Sequence, residues 1–438
     1  MKNRFWQPFP TAALVVTLAL ASTAFASEKV LHSFTAGTGG NTPTTGLVSD
    51  AAGNLYGMTA GGGNVASNCP TGCGVVYKLT PSATGTWKEA ILHRFNGGTE
   101  GWSPDGLALD AKGNIYGVNQ LGGKPARGTK NCVTYGCGTL FRLSPNTSGG
   151  WTFTLLHAFT GVSDGINPTG VTVDAAGNVF APARSGGTNG GMIFEMVGGT
   201  QGRTIYTFIG TANGNGPDGP VLIDAAGNLY GTTFDGGAGG LGVVYELTPS
   251  SSGKWTETIL YSFTGGNDGS GPSGNLAFDS TGNLFGAADF NGAFNSGIVF
   301  ELTPSSGGQW TKTTIYAFNG GADGETPRSG VVRDAAGNLF GTNAGGGNST
   351  CYCGTVFELS PSSGGWSEST LYTFTGQADG GFPTLGPVLL DSSGNLYGAT
   401  NSGGTVNSSC VLSPGCGVAY ELPGVAAALN ATSGLSEY

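Results

Sequence analysis

Three prolines of the chain are each followed by a charged residue: Pro104 by Asp105, Pro217 by Asp218 and Pro327 by Arg328. At four prolines in matching contexts the next residue is a small hydroxyl residue instead, Thr44, Thr169, Ser273 or Thr384. Two such carboxylates could divide general acid and base work between them, as in glycoside cleavage, or could hold a polar ligand. A guanidinium nearby adds a planar fork of N–H donors. Arg333 is a second unexpected cation, because Ser49, Leu109, Val173, Ile223, Phe278 and Leu390 stand in its place elsewhere. Trp102 and Phe382 set aromatic planes into loops that otherwise hold small residues. Carboxylates, a guanidinium and aromatic faces together suit a sugar or another polar ligand. The plainer reading is loop drift with local ion pairs.

Catalytic signatures are thin. No G-x-S-x-G, H-E-x-x-H or Walker-type loop occurs. The three histidines, His32, His93 and His157, all sit in one strand-like motif, L-H-x-F, which weakens any Ser/His or Cys/His reading. The recurring D-G-x-x-P element supplies Asp164, Asp268, Asp323 and Asp379, with Glu100 as a variant. Turn chemistry explains these acids, since Asp bonds its own backbone in such loops. The weaker reading is an acidic ring that draws a structural Ca²⁺ or a cationic ligand, without a D-x-D-x-D-G loop to support it. No other cofactor is implied.

Eight cysteines fall in four close pairs: Cys69/Cys73, Cys132/Cys137, Cys351/Cys353 and Cys410/Cys416. All four occupy one position, just before a recurring glycine. An even count in an exported chain reads as disulfides. Zinc is the rival, but pairs on separate repeats cannot share one ion. Cys351–Cys353 is the doubtful bond, with a single residue between the sulfurs.

The elements that must carry these residues repeat seven times. The string D-x-x-G-N, followed by an aliphatic and an aromatic residue, starts at Asp50, Asp110, Asp174, Asp224, Asp279, Asp334 and Asp391. Each repeat adds a segment such as SGNLAFD before it. GVVYELTP and WTETILYSF follow, the latter opening on a packing Trp (Trp87, Trp151, Trp255, Trp310 or Trp366). These segments are short, β-branched or aromatic, and bounded by turn residues, so they predict strands; no helical periodicity competes. Four strands in each of seven repeats predict an all-β fold, a seven-bladed β-propeller of four-stranded antiparallel blades. The last repeat lacks its fourth strand after GVAYEL (417–422), while the segment KVLHSF (29–34) supplies that strand type near the start. The N-terminal strand is therefore expected to complete the last blade and close the ring.

Composition bounds the rest. Glycine is 83 of 438 residues and charged residues are 10%, yet 38% are hydrophobic and 10% aromatic, enough for a packed core. Glycine shows no every-third-residue period, which excludes collagen. A net charge of −10 argues against nucleic acid as a partner. Residues 1–26 read as a signal peptide: Lys2 and Arg4, an apolar run over 12–20, then Ala24-Phe25-Ala26. That run is too short to span a bilayer, as is the tail 424–438. The expected plan is signal peptide 1–26, propeller 27–423 and tail, in a monomer exported to the periplasm, cell surface or medium.

The texts GLVSDAAGNLYGMTAGGG and GVVYELTPSSSGKWTETILYSF, with their counterparts, resemble the GloVer-type tandem repeat of secreted bacterial proteins, over nearly all of residues 28–423. The P-x-G-L-x-x-D-x-x-G-N-L-Y core is also similar, over two strands per blade, to NHL-type propeller repeats. The first resemblance implies a propeller of unassigned biochemistry, often with a C-terminal anchor; the tail 424–438 is not expected to act as one. Neither resemblance supplies catalytic residues. The expected function is a ligand-binding module for a polysaccharide or cell-surface component. Its alternatives are a carbohydrate- or lactone-active enzyme at the axial mouth and a structural or adhesion module.

Overall fold

The computed structural model describes residues 27–123, 132, 135–161, 163–187, 190–406, 410 and 415–426. The expected signal peptide and the end of the tail lie outside them. Seven antiparallel sheets form seven blades, whose inner strands begin at Gly40, Trp102, Ile166, Asn215, Ser270, Val332 and Gly381. Blade 4 shows the pattern: Asn215–Ile223, Leu229–Asp235, Val243–Pro249 and Trp255–Ser262, paired in that order. This is the expected strand order from the axis outward. In blades 1, 3 and 7 the inner strand is split into two short pieces. The single helical element among the described residues is a 3₁₀ turn at Gly266–Asp268, so no helix there could cross a membrane.

The ring closes as the split repeat requires. Lys29–Ser33 pairs with Val418–Leu422, the third strand of blade 7, in antiparallel register. Lys29 Nζ lies 3.1 Å from Glu421 Oε2, and Phe34 N donates to Gly417 O. The first tail residues dock on the same blade, where Gly424 N donates to Asn395 Oδ1 and Ala426 N to Gly394 O.

Each blade is locked to the next by one repeated contact. The glycine that opens the third strand faces the D-G-x-x-P proline of the following blade: Gly74–Pro104, Gly138–Pro168, Gly191–Pro217, Gly242–Pro272, Gly297–Pro327, Gly354–Pro383 and, across the closure, Gly417–Pro43. A Cβ on any of these glycines would come within 2.7 Å of the proline ring, and their φ angles are all left-handed. The residue before the proline is left-handed too. Thr42, Ser103, Asn167, Thr326 and Phe382 take φ of 54–62°, and Gly216 and Gly271 fill the other two places. That conformation turns an N–H toward the preceding blade. Thr42 N donates to Cys416 O, Asn167 N to Cys137 O, Thr326 N to Ser296 O and Phe382 N to Cys353 O, at 2.7–2.9 Å. Five non-glycine residues held left-handed cost free energy that the contact must offset.

Aromatic side chains fill the seams. The buried Phe of each outer strand meets the third-strand aromatic of the next blade edge-on or tilted, for example Phe34–Tyr77 at 4.9 Å, Phe208–Tyr245 at 5.0 Å and Phe374–Tyr420 at 5.2 Å. Such pairs contribute roughly 0.5–1.5 kcal/mol beyond their buried area. Trp87, Trp151, Trp255 and Trp366 reach back edge-on to Tyr397, Tyr56, Phe180 and Phe285 of the preceding blade, as packing residues. At the far face, every D-x-x-G-N turn is tied by its Asp. Asp50 Oδ1 accepts from Ala52 N and Asn54 N, and Oδ2 accepts from Asn54 Nδ2 and Tyr56 OH.

All four cysteine pairs are bonded, Cys351–Cys353 included. They occupy blades 1, 2, 6 and 7, neighbours in the closed ring. Replacing Gly242 by Ala should destabilise the protein by about 3 kcal/mol, combining a left-handed alanine with overpacking against Pro272 and the Thr233 carbonyl. Gly227→Ala, in an open D-x-x-G-N turn, should cost only the conformational part, about 1–2 kcal/mol. Denaturant titration of the two variants checks this; equal losses would refute the inter-blade lock.

Candidate functional site at the axial mouth

The inner strands run from the D-G-x-x-P loops to the D-x-x-G-N turns, so the residue after each proline sits near one end of the axis. At three of the four places where it is a hydroxyl residue, it ties the blades together. Thr44 Oγ1 donates to Pro104 O, Thr169 Oγ1 to Pro217 O and Ser273 Oγ to Arg328 O. Asp105, Asp218 and Arg328 replace that tie with charge, and each finds a partner from a second strand. Gln120 Nε2 donates to Asp105 Oδ2 at 2.7 Å. Arg184 Nη2 of blade 3 reaches Asp218 Oδ2 of blade 4 at 2.6 Å. Arg328 Nε of blade 6 reaches Asp289 Oδ2 of blade 5 at 2.8 Å, and Ser273 Oγ also donates to Asp289.

Gln120, Arg184 and Asp289 share one repeat position, six residues after the Asn of D-x-x-G-N. The others there are Ala60, Phe234, Ala344 and Asn401. Sequence reasoning passed over this position. Its signal was the same as at the prolines: a charged or bulky residue where other repeats hold alanine. Phe234 belongs to this set, and its ring meets that of Phe290 edge-on at 6.0 Å. Arg328 lies over Phe290, 5.9 Å from the ring centre.

Immediately beyond the post-proline residues the axis narrows. Gly46, Gly106, Gly170, Gly219, Gly274, Gly330 and Gly386 approach the backbone of neighbouring inner strands. A Cβ on Gly106 would lie 2.6 Å from Gly170 Cα, and one on Gly274 would lie 2.4 Å from Gly330 N. Between blades 5 and 6 the inner strands hydrogen-bond directly, Asn275 N to Ser329 O and Val331 N to Asn275 O. The mouth is thus a ring of polar side chains above closely spaced inner-strand backbone.

Its carboxylates are electrostatically distinct. Protein surrounds Asp105 densely, and this desolvation, with the nearby charge of Asp218, pushes its carboxyl up to about 7; Gln120 and the Gly106 amide oppose the shift. Asp289 is 1% exposed, and burial raises it to about 6 against the pull of Ser273 and Arg328. At neutral pH the mouth therefore holds one carboxyl poised between forms and two that are paired to arginine.

The other sequence-selected residues lie elsewhere. Trp102 packs in the apolar cluster between blades 1 and 2 with Cys69 and Cys73, edge-on to Tyr135. Arg333 sits at the opposite end of its strand from Arg328, against Gly337 of its own D-x-x-G-N turn. Phe382 is one of the left-handed locking residues, with its side chain 42% exposed. The D-G-x-x-P acids each bond the end of the outer strand just before them, and Asp268 also bonds Lys312 of blade 5. Asp164 accepts from Thr160 N and Gly161 N and pairs with His157 at 2.9 Å. Asp268, Asp323 and Asp379 accept from Tyr261, Tyr316 and Tyr372. These four carboxylates spread around the ring, and among the described residues no group of three or more His, Cys, Asp or Glu is placed to hold a metal ion.

The pH dependence of stability follows from these shifts. Asp105 and Asp289 are raised in the folded state, so their stability contribution is complete below about pH 4 and is lost as pH rises through 6–7. Asp50, Asp164, Asp268 and Asp279 are lowered by hydrogen bonds that outweigh burial, so theirs is lost as pH falls below about 4. The melting temperature should peak near pH 5 and fall by a few degrees at pH 8. Asp105→Asn should flatten the pH 5-to-8 limb, as scanning calorimetry would show; an unchanged limb would contradict the assignment.

The sequence matches the profile of the Gloeobacter/Verrucomicrobia repeat over residues 128–312 and again over 258–414, together more than half of the chain. No curated protein matches it. Among solved structures, a fungal alcohol oxidase of the AA5 family in complex with copper is 15% identical, with 92% of this chain and 79% of that chain covered and a TM-score of 0.57. The extracellular domain of a one-component system from B. thetaiotaomicron is 12% identical, with 92% and 42% covered and a TM-score of 0.51. A gluconolactonase from Xanthomonas campestris is 14% identical, with 75% and 87% covered and a TM-score of 0.41. At these identities the likeness is one of fold alone. With its seven-bladed ring and its two matches to the repeat profile, the chain belongs to the Gloeobacter/Verrucomicrobia repeat family.

Proposed function

We propose that this protein is an exported binding module whose axial mouth takes a polar, hydroxyl-rich ligand of the saccharide class. One observation carries the reading. The residues that break the repeat, Asp105, Gln120, Arg184, Asp218, Asp289 and Arg328, are joined by hydrogen bonds and ion pairs around one end of the axis. Elsewhere the repeat holds small hydroxyl residues after the proline, and Ala60, Phe234, Ala344 or Asn401 at the second-strand position. The aromatic faces of Phe234 and Phe290 beside them supply the stacking that sugar rings favour, and the carboxylates and guanidinia supply oriented acceptors and donors. Four disulfides are compatible with an extracellular location and support export.

A second reading is favoured by the unequal carboxylates. Asp105, raised to about 7, could act as general acid beside Asp218, whose side chain pairs with Arg184. That is the division of labour used in opening glycosides and, with water, lactones.

A glycan array separates the two. The binding reading expects retention of specific glycans unaltered, with a loss of about tenfold or more in affinity on Phe234→Ala and on Arg184→Ala. The enzymatic reading expects products from those glycans and turnover abolished by Asp105→Asn. An array with neither binding nor products would overturn both.

A further inference from the structure

The mouth has a low side. Blades 3, 4 and 5 join their second and third strands through the short segments 186–191, 236–242 and 291–297, whereas blades 7, 1 and 2 use the longer 403–417, 63–74 and 122–138. Over blade 4 this leaves a trough of about 510 Å³ lined by Gly210, Thr211, Asn215, Asp235 and the segment 236–240. The segment 236–240 is glycine but for Ala238; Thr211 and Asp235 are exposed beside it. The inner end joins the mouth. Asn215 is the register partner of Asp235, the residue after Phe234. The next residue, Gly216, lies against Arg184, whose Cγ would be 3.6 Å from a Cβ placed there.

We propose that mouth and trough form one site for the end of a linear saccharide, with the terminal unit in the mouth and the following units laid outward along blade 4. This rests on the saccharide reading above and adds a direction and a polarity to it. The short segments lie over blades 3, 4 and 5 alone, so a chain seated in the mouth leaves it on that one side. Blade 4 offers the way out. There the bound units would meet the Phe234 ring first, then the Asn215, Asp235 and Thr211 side chains as hydroxyl partners, along a segment whose one side chain is the methyl of Ala238.

The test is calorimetric titration of the whole protein with β-1,4-glucan and chitin ladders of one to six units, and with β-cyclodextrin, which has no chain end. Affinity should rise about tenfold from one unit to four and then level off. Thr211→Trp, which fills the trough from an exposed position, should erase that rise. Phe234→Ala should weaken every length. Binding that ignores length, that is indifferent to Thr211→Trp, or that accepts β-cyclodextrin as well as the linear hexamer overturns the end-on arrangement and leaves the mouth standing. No binding by any ladder or by the array overturns the saccharide reading and this inference with it.

Discussion

A glycine and a proline from neighbouring blades, pressed together seven times, set the geometry of this protein. No side chain larger than hydrogen fits at Gly242 while Pro272 stands against it, and the same holds at the other six seams. The amide turned across several of these seams by a left-handed residue adds direction to the contact. Because the contact is largely backbone and ring atoms, it is indifferent to what the surrounding side chains are. Gly417–Pro43 makes it across the chain ends as well, so the closing seam is built like the others and not as a looser latch.

That indifference is what lets the mouth vary. The lock occupies the proline and the residue before it, and the residue after the proline is free to be threonine in one blade and aspartate in the next. The charges introduced there are compensated laterally by second-strand partners, blade 3 to blade 4 and blade 6 to blade 5. The buried seams vary by matched exchange instead. His157 stacks on Phe194, Tyr206 donates to Glu257, and Lys312 Nζ bonds Asp268 beside the Tyr261 ring. Each is a different solution to covering the polar end of an outer-strand aromatic or histidine. The disulfides lie under the longest connections, where the lock alone leaves the most chain to order.

Much of this was legible in the sequence, and the limits have physical causes. Closure was readable because one repeat is split between the chain ends, and cysteine pairing because each pair is local. The role of the D-G-x-x-P acids was readable in outline. Their partners stand seven residues earlier, as in His157–Asp164 and Tyr316–Asp323, a spacing set by the chain reversal at the strand end. Trp102 and Arg333 were drawn toward the mouth by composition. Strand direction decided otherwise: Trp102 precedes the post-proline turn and packs into the seam, and Arg333 lies at the far end of its strand. Arg184 and Asp289 were missed because their partners come from other blades, a relation that no spacing along the chain reveals.

Residue-resolved hydrogen exchange tests the shared lock most directly. The amides of Thr42, Asn167, Gly216, Gly271, Thr326 and Phe382 stand in or just before the first residues of the inner strands, and each donates across a seam. If the lock holds the ring, all six exchange only through global unfolding, with one common free energy, and Thr42 at the closing seam is as protected as Gly271 in mid-chain. Rapid, loop-like exchange at these amides, or at Thr42 alone, would contradict it.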